Sequence, residues 1–214
     1  MSIVQFHDYS KIIKGRVILE NINTNFDSGG IYCVIGENGS GKTMMLRAIC
    51  GLIHPTTGSV TVEGCEINKN NNFPESVGVV IENPGFFNEY TGFENLKLLA
   101  SIKGQIRDDD IVDALDRVGL DPSDRRTVKK YSLGMKERLG IAQAIMEKPS
   151  LILLDEPTNA LDKEGKERLE NIIREEKHRG ATIIIATHDD AFVKDMAEHR
   201  LYIEKGRAGE MDEN

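Results

Sequence analysis

Long apolar runs are missing from this chain of 214 residues. None approaches the ~20 residues that a bilayer-spanning helix needs, so the chain is expected to be soluble, and any membrane role would require another polypeptide to do the spanning. The N-terminal stretch carries no signal-peptide pattern. Cysteine is scarce: Cys33, Cys50 and Cys65 form an odd set without metal-type spacing. They suggest neither a disulfide framework nor export, and a reducing cytoplasm fits. Cys33 lies inside an apolar run, where a small buried side chain is expected. Positive charge is also short. The 27 basic residues against 35 acidic ones leave a net charge of −8, which argues against a general nucleic-acid binder. There is no internal repeat and no low-complexity linker. What the length does allow is one large domain, or a domain with a subdomain, burying roughly 70% of its unfolded surface without staples.

The strongest positive feature is Gly36-Glu37-Asn38-Gly39-Ser40-Gly41-Lys42-Thr43. It follows the apolar run 31–35 and leads into Met44-Met45-Leu46-Arg47, which reads as a helix start. A strand, a glycine-rich turn and a helix N-terminus make a phosphate cradle. Small residues let backbone N–H groups close around a polyphosphate, and the helix dipole adds partial positive charge. In that pattern Lys42 reaches the β- and γ-phosphates and the Thr43 hydroxyl sits on Mg²⁺. The pattern predicts a nucleoside triphosphate site.

Around it the first third of the chain reads as short strands at 17–22, 31–35 and 59–62, broken by Asp27-Ser28-Gly29-Gly30 and Glu63-Gly64. Residues 69–72 predict a solvated turn, and 77–81 a buried strand. From 90 to about 118 the pattern turns helical and charged, with Asp108-Asp109-Asp110 as a helix start. A further amphipathic helix is expected over 135–147. The runs 151–154 and 182–186 suit a parallel sheet buried on both faces. Between them, 163–179 reads as a helix ended by Gly180, with Glu164/Arg168 and Glu170/Arg174 spaced for i,i+4 support. The acidic tail 210–214 is expected to fray.

The run 151–154 ends in Asp155-Glu156. In an open α/β sheet, ligands collect beyond the carboxyl ends of the strands. Asp155 is then placed to hold Mg²⁺, and Glu156 to polarise the water that attacks the γ-phosphate. His188, in Thr187-His188-Asp189, follows the next run and so emerges on the same edge, aimed at the γ-phosphate region. His7, His54, His178 and His199 read as packing or surface residues. Asp162, before Lys163, is an N-cap candidate, a role that can coexist with a functional one.

Taken in order, the phosphate loop, Tyr131-Ser132-Leu133-Gly134-Met135-Lys136, Asp155-Glu156-Pro157-Thr158, Asn159-Ala160-Leu161-Asp162 and His188 span nearly the whole chain. In this it resembles the ATP-binding subunits of ABC transporters. The resemblance implies an α/β fold: a P-loop NTPase core of ABC type, with an N-terminal antiparallel β region and an inserted α-helical subdomain at about 84–148, residues 1–214 forming a single ATP-binding domain. It implies ATP and Mg²⁺ as cofactors. Ser132 and Gly134 would belong to the signature motif that contacts the γ-phosphate of ATP held by a second subunit. Asn159 to Asp162 match the D-loop, and His188 the switch histidine. The implied assembly is a head-to-tail dimer with two composite ATP sites, attached to the inner face of the membrane through a separately encoded permease.

Three departures from the family pattern are useful. The usual Leu-Ser-Gly-Gly-Gln is here Tyr131-Ser132-Leu133-Gly134-Met135, and the glutamine expected between the two subdomains is Glu82. Both changes resemble the ATP-binding subunits of bacitracin- and lantibiotic-type exporters. The glutamine in relatives contacts Mg²⁺ or water and links the ATP site to the helical subdomain, so Glu82 is a candidate for metal contact and for coupling. The third departure is that the adenine-stacking aromatic aligns with Ile13, with Tyr9 four residues away. This leaves either a weak platform or one supplied by another residue. An alternative function is a soluble ABC-type ATPase not coupled to transport. Relatives acting in translation or DNA repair generally carry two cassettes or a long coiled coil, for which the chain has no room. A P-loop kinase or switch GTPase is the third class, but the guanine-reading Asn-Lys-x-Asp is absent.

Overall fold

Two β-sheets lie against each other, and their strands come from interleaved parts of the chain. The computed structural model describes residues 1–68, 73–82 and 85–213; the turn expected at 69–72 lies outside the described residues. Strands β1 (Ser2–Ile13), β2 (Arg16–Asp27), β4 (Thr57–Val62) and β5 (Cys65–Glu66) form an antiparallel sheet in the order β2-β1-β4-β5. The second sheet contains β3 (Ile31–Ile35), β6 (Val77–Val80), β7 (Leu151–Asp155), β8 (Thr182–Thr187), β9 (His199–Glu204) and β10 (Arg207–Glu213), in the order β10-β9-β3-β8-β7-β6. All neighbours in it run parallel except β9 and β10.

The parallel strands are continuous apolar runs because both their faces are buried. Along β7 and β8, Leu151, Leu153, Ile184 and Ala186 face one core. That core also holds Met45, Leu46 and Ile49 of helix α1 (Lys42–Ile49) and the inner face of the antiparallel sheet. The alternate residues Ile152, Leu154, Ile183 and Ile185 face a second core. It is filled from α2 (Gly92–Lys103), α3 (Asp108–Arg117), α4 (Leu133–Ile145), α5 (Lys163–His178) and α6 (Asp190–Met196). Helices α2, α3 and α4 all fall between β6 and β7 in the chain.

Register is what matters for the site. Val80 pairs with Leu154, Asp155 with Ala186, and Ile35 with Thr187. The carboxyl ends of β6, β7, β8 and β3 therefore finish side by side. The segments carrying Gly36, Glu82, Glu156 and His188 all leave the sheet along that one edge.

Most expected elements form, with ends moved by a few residues. Helix α3 starts at Asp108 with three acids in its first turn, where they complement the dipole. Helix α4 begins two residues before the expected Met135, because the Ser132 side chain accepts from Met135 N and fixes the start there. The i,i+4 pairs on α5 form, Glu164–Arg168 at 2.8 Å and Glu170–Arg174 at 3.6 Å. The 12-residue strand β1 is not expected from the pattern: it carries no clean alternation, because register irregularities interrupt its pairing with both neighbours. One expectation fails: as far as Glu213, the last described residue, the tail does not fray, because β10 pairs with β9 and sets Asp212 opposite Arg200.

Candidate functional site: a phosphate loop facing paired carboxylates

Buried β3 delivers the chain into the loop 36–41, and α1 starts at Lys42. Gly41, at the N-cap with φ 118°, has no side chain to offer, and no side-chain hydrogen bond caps this helix. Its first-turn N–H groups are left for a ligand. Lys42 is buried. Its Nζ donates to the carbonyls of Gly36 (2.6 Å) and Glu37 (3.2 Å) and lies 3.5 Å from Glu156 Oε1. Ser40 is also buried and its hydroxyl has no hydrogen-bond partner.

Across from the loop, Asp155 ends β7. Its Oδ2 accepts from the Thr43 hydroxyl at 2.8 Å, while Oδ1 is buried without a partner among the described residues. Burial raises the Asp155 pKa, the Thr43 hydrogen bond opposes the rise, and the charge of Glu156 adds to it. Glu156 takes a left-handed backbone conformation (φ 50°) as the chain leaves the strand. Its N–H donates to Ala186 O at 2.8 Å. Its Oε1 lies 2.8 Å from His188 Nδ1, and Oε2 is buried without a partner among the described residues. Asp189 caps α6 through Phe192 N and accepts from Lys166 Nζ at 2.8 Å. That bond is the first cause holding its carboxyl below the usual range, and it ties the segment after His188 to α5.

A hard cation fits here. The orphaned Asp155 oxygen and the Thr43 hydroxyl are oxygen donors of the kind Mg²⁺ takes along with substrate phosphates. Among the described residues no group of three or more His, Cys, Asp or Glu could hold an ion alone, so phosphate oxygens would have to complete the shell. Glu82 stands apart from this pair: its Oε1 receives Arg47 Nη2 at 2.8 Å.

A cleft of about 660 Å³ opens beside the loop, lined by Glu37, Asn38, Gly39, Gly41, Lys42, Thr43 and Glu156 together with Ile13, Lys14, Arg16, Ile18 and Met44. Ile13 is thus part of the cleft wall beside the phosphate loop, and among the described residues no aromatic lines the cleft. Tyr9, the candidate replacement, is excluded: it is fully buried, with its ring edge-on to Phe6 at 5.3 Å. Lys14, Arg16 and Met44 were not legible as site residues. Only the hairpin between β1 and β2 brings the first two to the phosphate loop.

Ser132, Gly134 and Asp162 do not line this cleft. Ser132 caps α4 and Asp162 caps α5, its Oδ1 accepting from Gly165 N at 2.8 Å. Gly134 packs on the Asn159-to-Asp162 segment so tightly that a Cβ would come within 2.9 Å of Ala160 O. Within one chain Gly134 meets the Asn159-to-Asp162 segment, and none of these residues lines the cleft beside the phosphate loop.

Comparison with known proteins agrees with this geometry. A family model described as ABC transporter matches residues 19–159. The chain is 47% identical to the ABC transporter ATP-binding protein YybJ of Bacillus subtilis, over 95% of this chain and 94% of that one. It is 38% identical to the lantibiotic transport ATP-binding protein SrtF of Streptococcus pyogenes, over 90% and 82%. Its fold superposes with a TM-score of 0.87, at 23% identity and 98% coverage of both chains, on the dimeric post-hydrolysis ATP-binding cassette MJ0796 bound to ADP and Pi. The chain belongs to the ABC transporter family, as an ATP-binding and ATP-hydrolysing subunit.

Proposed function

We propose that this subunit drives export of peptide antibiotics or similar amphiphilic molecules, as part of a complex with a membrane permease encoded separately. The observation that carries the nucleotide chemistry is the convergence of Lys42, Thr43, Asp155, Glu156 and His188 at one sheet edge. Support for the substrate class comes from SrtF, whose name gives lantibiotic transport, and from Glu82 and the Tyr131-Ser132-Leu133-Gly134-Met135 signature. The same relative disfavours the uncoupled soluble ATPase.

The residues divide the work by chemistry. The loop N–H groups and Lys42 bind the phosphates, and Lys42 gives up its carbonyl partners to do so. Thr43 and Asp155 hold Mg²⁺, which when bound neutralises phosphate charge. Glu156 orients the attacking water and takes its proton, a role worth roughly 10²–10⁴ in rate. His188 fixes the Glu156 carboxylate through Nδ1 and is half exposed, which leaves its ring free to meet the γ-phosphate. Ser132, Gly134 and Asp162 act on the nucleotide of a second copy, in a head-to-tail dimer; this arrangement follows from the family resemblance, and the similarly folded MJ0796 cassette is described as dimeric. Residues 1–214 act as a single domain, with the helices in about 84–148 as the inserted subdomain facing the permease. Glu82 couples this subdomain to the site.

No helix among the described residues is long and apolar enough to cross a membrane. Attachment to the inner face of the membrane would therefore come through the permease. Nucleic acid has no part in the cycle. The test is affinity purification from solubilised membranes of the native host, with mass spectrometry and an ATPase assay on the eluate. A multi-spanning partner together with ATP turnover is expected; ATPase activity that remains with the chain alone, at native expression, would overturn the transport assignment.

A further inference from the structure

Helix α1 offers two polar side chains on one face to two neighbouring strands. Thr43 and Arg47 are four residues apart, so they stack one turn above the other. The Thr43 hydroxyl bonds Asp155 at the end of β7. The Arg47 guanidinium bonds Glu82, just beyond the end of β6, at 2.8 Å. Strands β6 and β7 are paired with Val80 opposite Leu154, which brings the two acidic ends together. Glu82 also holds a left-handed backbone (φ 57°), a conformation that costs a non-glycine residue energy and persists where something holds it. Its negative charge is felt at Asp155, on top of that of Glu156. Arg47 is the cation bonded to it.

We infer that Arg47 is a positioning residue for Glu82: its guanidinium keeps the carboxylate on the α1 side, off the Thr43–Asp155 pair, and so limits how tightly a divalent cation is held with the nucleotide. A carboxylate at this place is a stronger metal ligand than a glutamine amide, and without a restraint it would add a third acid to the site. A cation held too firmly slows release after hydrolysis, which gives the restraint a use. Glu82 is 62% exposed, so the ion pair adds little to folding stability; its effect is on where the carboxylate sits. This inference rests on the nucleotide-site reading above.

The experiment measures Mn²⁺ binding by electron paramagnetic resonance, on the full chain with a non-hydrolysable ATP analogue. The variants are Arg47→Ala, Arg47→Lys, Glu82→Gln and the double Arg47→Ala/Glu82→Gln, with circular dichroism as the folding control. Arg47→Ala should tighten Mn²⁺ binding by about two- to fivefold, the range of an exposed ion pair. Arg47→Lys should restore most of the wild-type value, and in the Glu82→Gln background Arg47→Ala should change nothing further. An unchanged Mn²⁺ affinity in Arg47→Ala, or an equal shift in the Glu82→Gln background, overturns the inference. Should Arg47→Ala fail to fold, Arg47→Gln keeps most of the side-chain volume and serves in its place. A wild-type chain that binds neither the analogue nor Mn²⁺ would instead overturn the nucleotide-site reading itself.

Discussion

His188 Nδ1 lies 2.8 Å from Glu156 Oε1, and the same oxygen is 3.5 Å from Lys42 Nζ. The carboxylate is thus held between a ring from β8's end and the ammonium of the phosphate loop, with its other oxygen buried and unpaired among the described residues. An unpaired buried acceptor is costly, and a water poised for attack would satisfy it.

Glu156→Gln keeps the shape and removes the basicity. ATP binding should persist while hydrolysis falls by about 10² or more. Size-exclusion chromatography with Mg-ATP should show a trapped dimer, best seen on the permease-bound complex. Normal turnover by a monomer would make another group the base.

Lys42 Nζ bonds two backbone carbonyls, which the proposed site has it exchange for phosphate oxygens on binding. Its contacts are charge-assisted, so Lys42→Ala should forfeit about 1.5–3 kcal/mol, roughly tenfold or more in affinity. Titration with fluorescent ATP measures this, and an unchanged affinity would remove Lys42 from the site.

Ile13 lines the cleft; as the surface proposed to receive the base, an aliphatic side chain discriminates poorly between purines. GTP should support hydrolysis within about tenfold of ATP, a gap of roughly 1.4 kcal/mol. Ile13→Tyr should tighten both nucleotides by about 0.5–1.5 kcal/mol through stacking, leaving their ratio nearly unchanged. A large preference for ATP in the wild type would point to a base-reading contact elsewhere in the cleft, whose lining includes the polar side chains of Lys14 and Arg16.

Glu137 of α4 is buried, and burial pushes its pKa from 4.5 to about 7. Between those values the folded chain holds a proton that the unfolded chain has released. This contribution to stability is complete below pH 4.5 and is lost as pH rises through about 7. A pKa difference of one between the folded and unfolded chain is worth about 1.4 kcal/mol, so the loss amounts to a few kcal/mol. Glu137→Gln should raise the melting temperature at pH 8 and leave it nearly unchanged at pH 4.5. A variant that melts with the same pH dependence as the wild type would assign that dependence to other groups.

The local chemistry was legible in the sequence because it is built from neighbours along the chain. A buried strand, Gly36 to Gly41 and the start of α1 form a phosphate cradle whatever the rest of the fold does, and β7 must end where Asp155 and Glu156 interrupt its apolar run. The cap at Asp162 is equally local, its side chain bonding an N–H three residues on; Ser132 caps α4 in the same way, but the apolar pattern places that helix start at Met135 and so hides the cap. Strand pairing and packing decided the rest. Whether Tyr9 or Ile13 faces a nucleotide depends on which side of β1 turns inward, and bulged pairing hides that from a period-2 pattern. The acidic tail reads as frayed from its composition because its partner, β9, is recognisable only once the sheet has formed. The contacts Glu156–His188 and Arg47–Glu82 span 32 and 35 residues by numbering and exist because parallel register sets four strand ends on one edge. Sequence determines which side chains are available at a strand's end; only the sheet's register decides which of them meet.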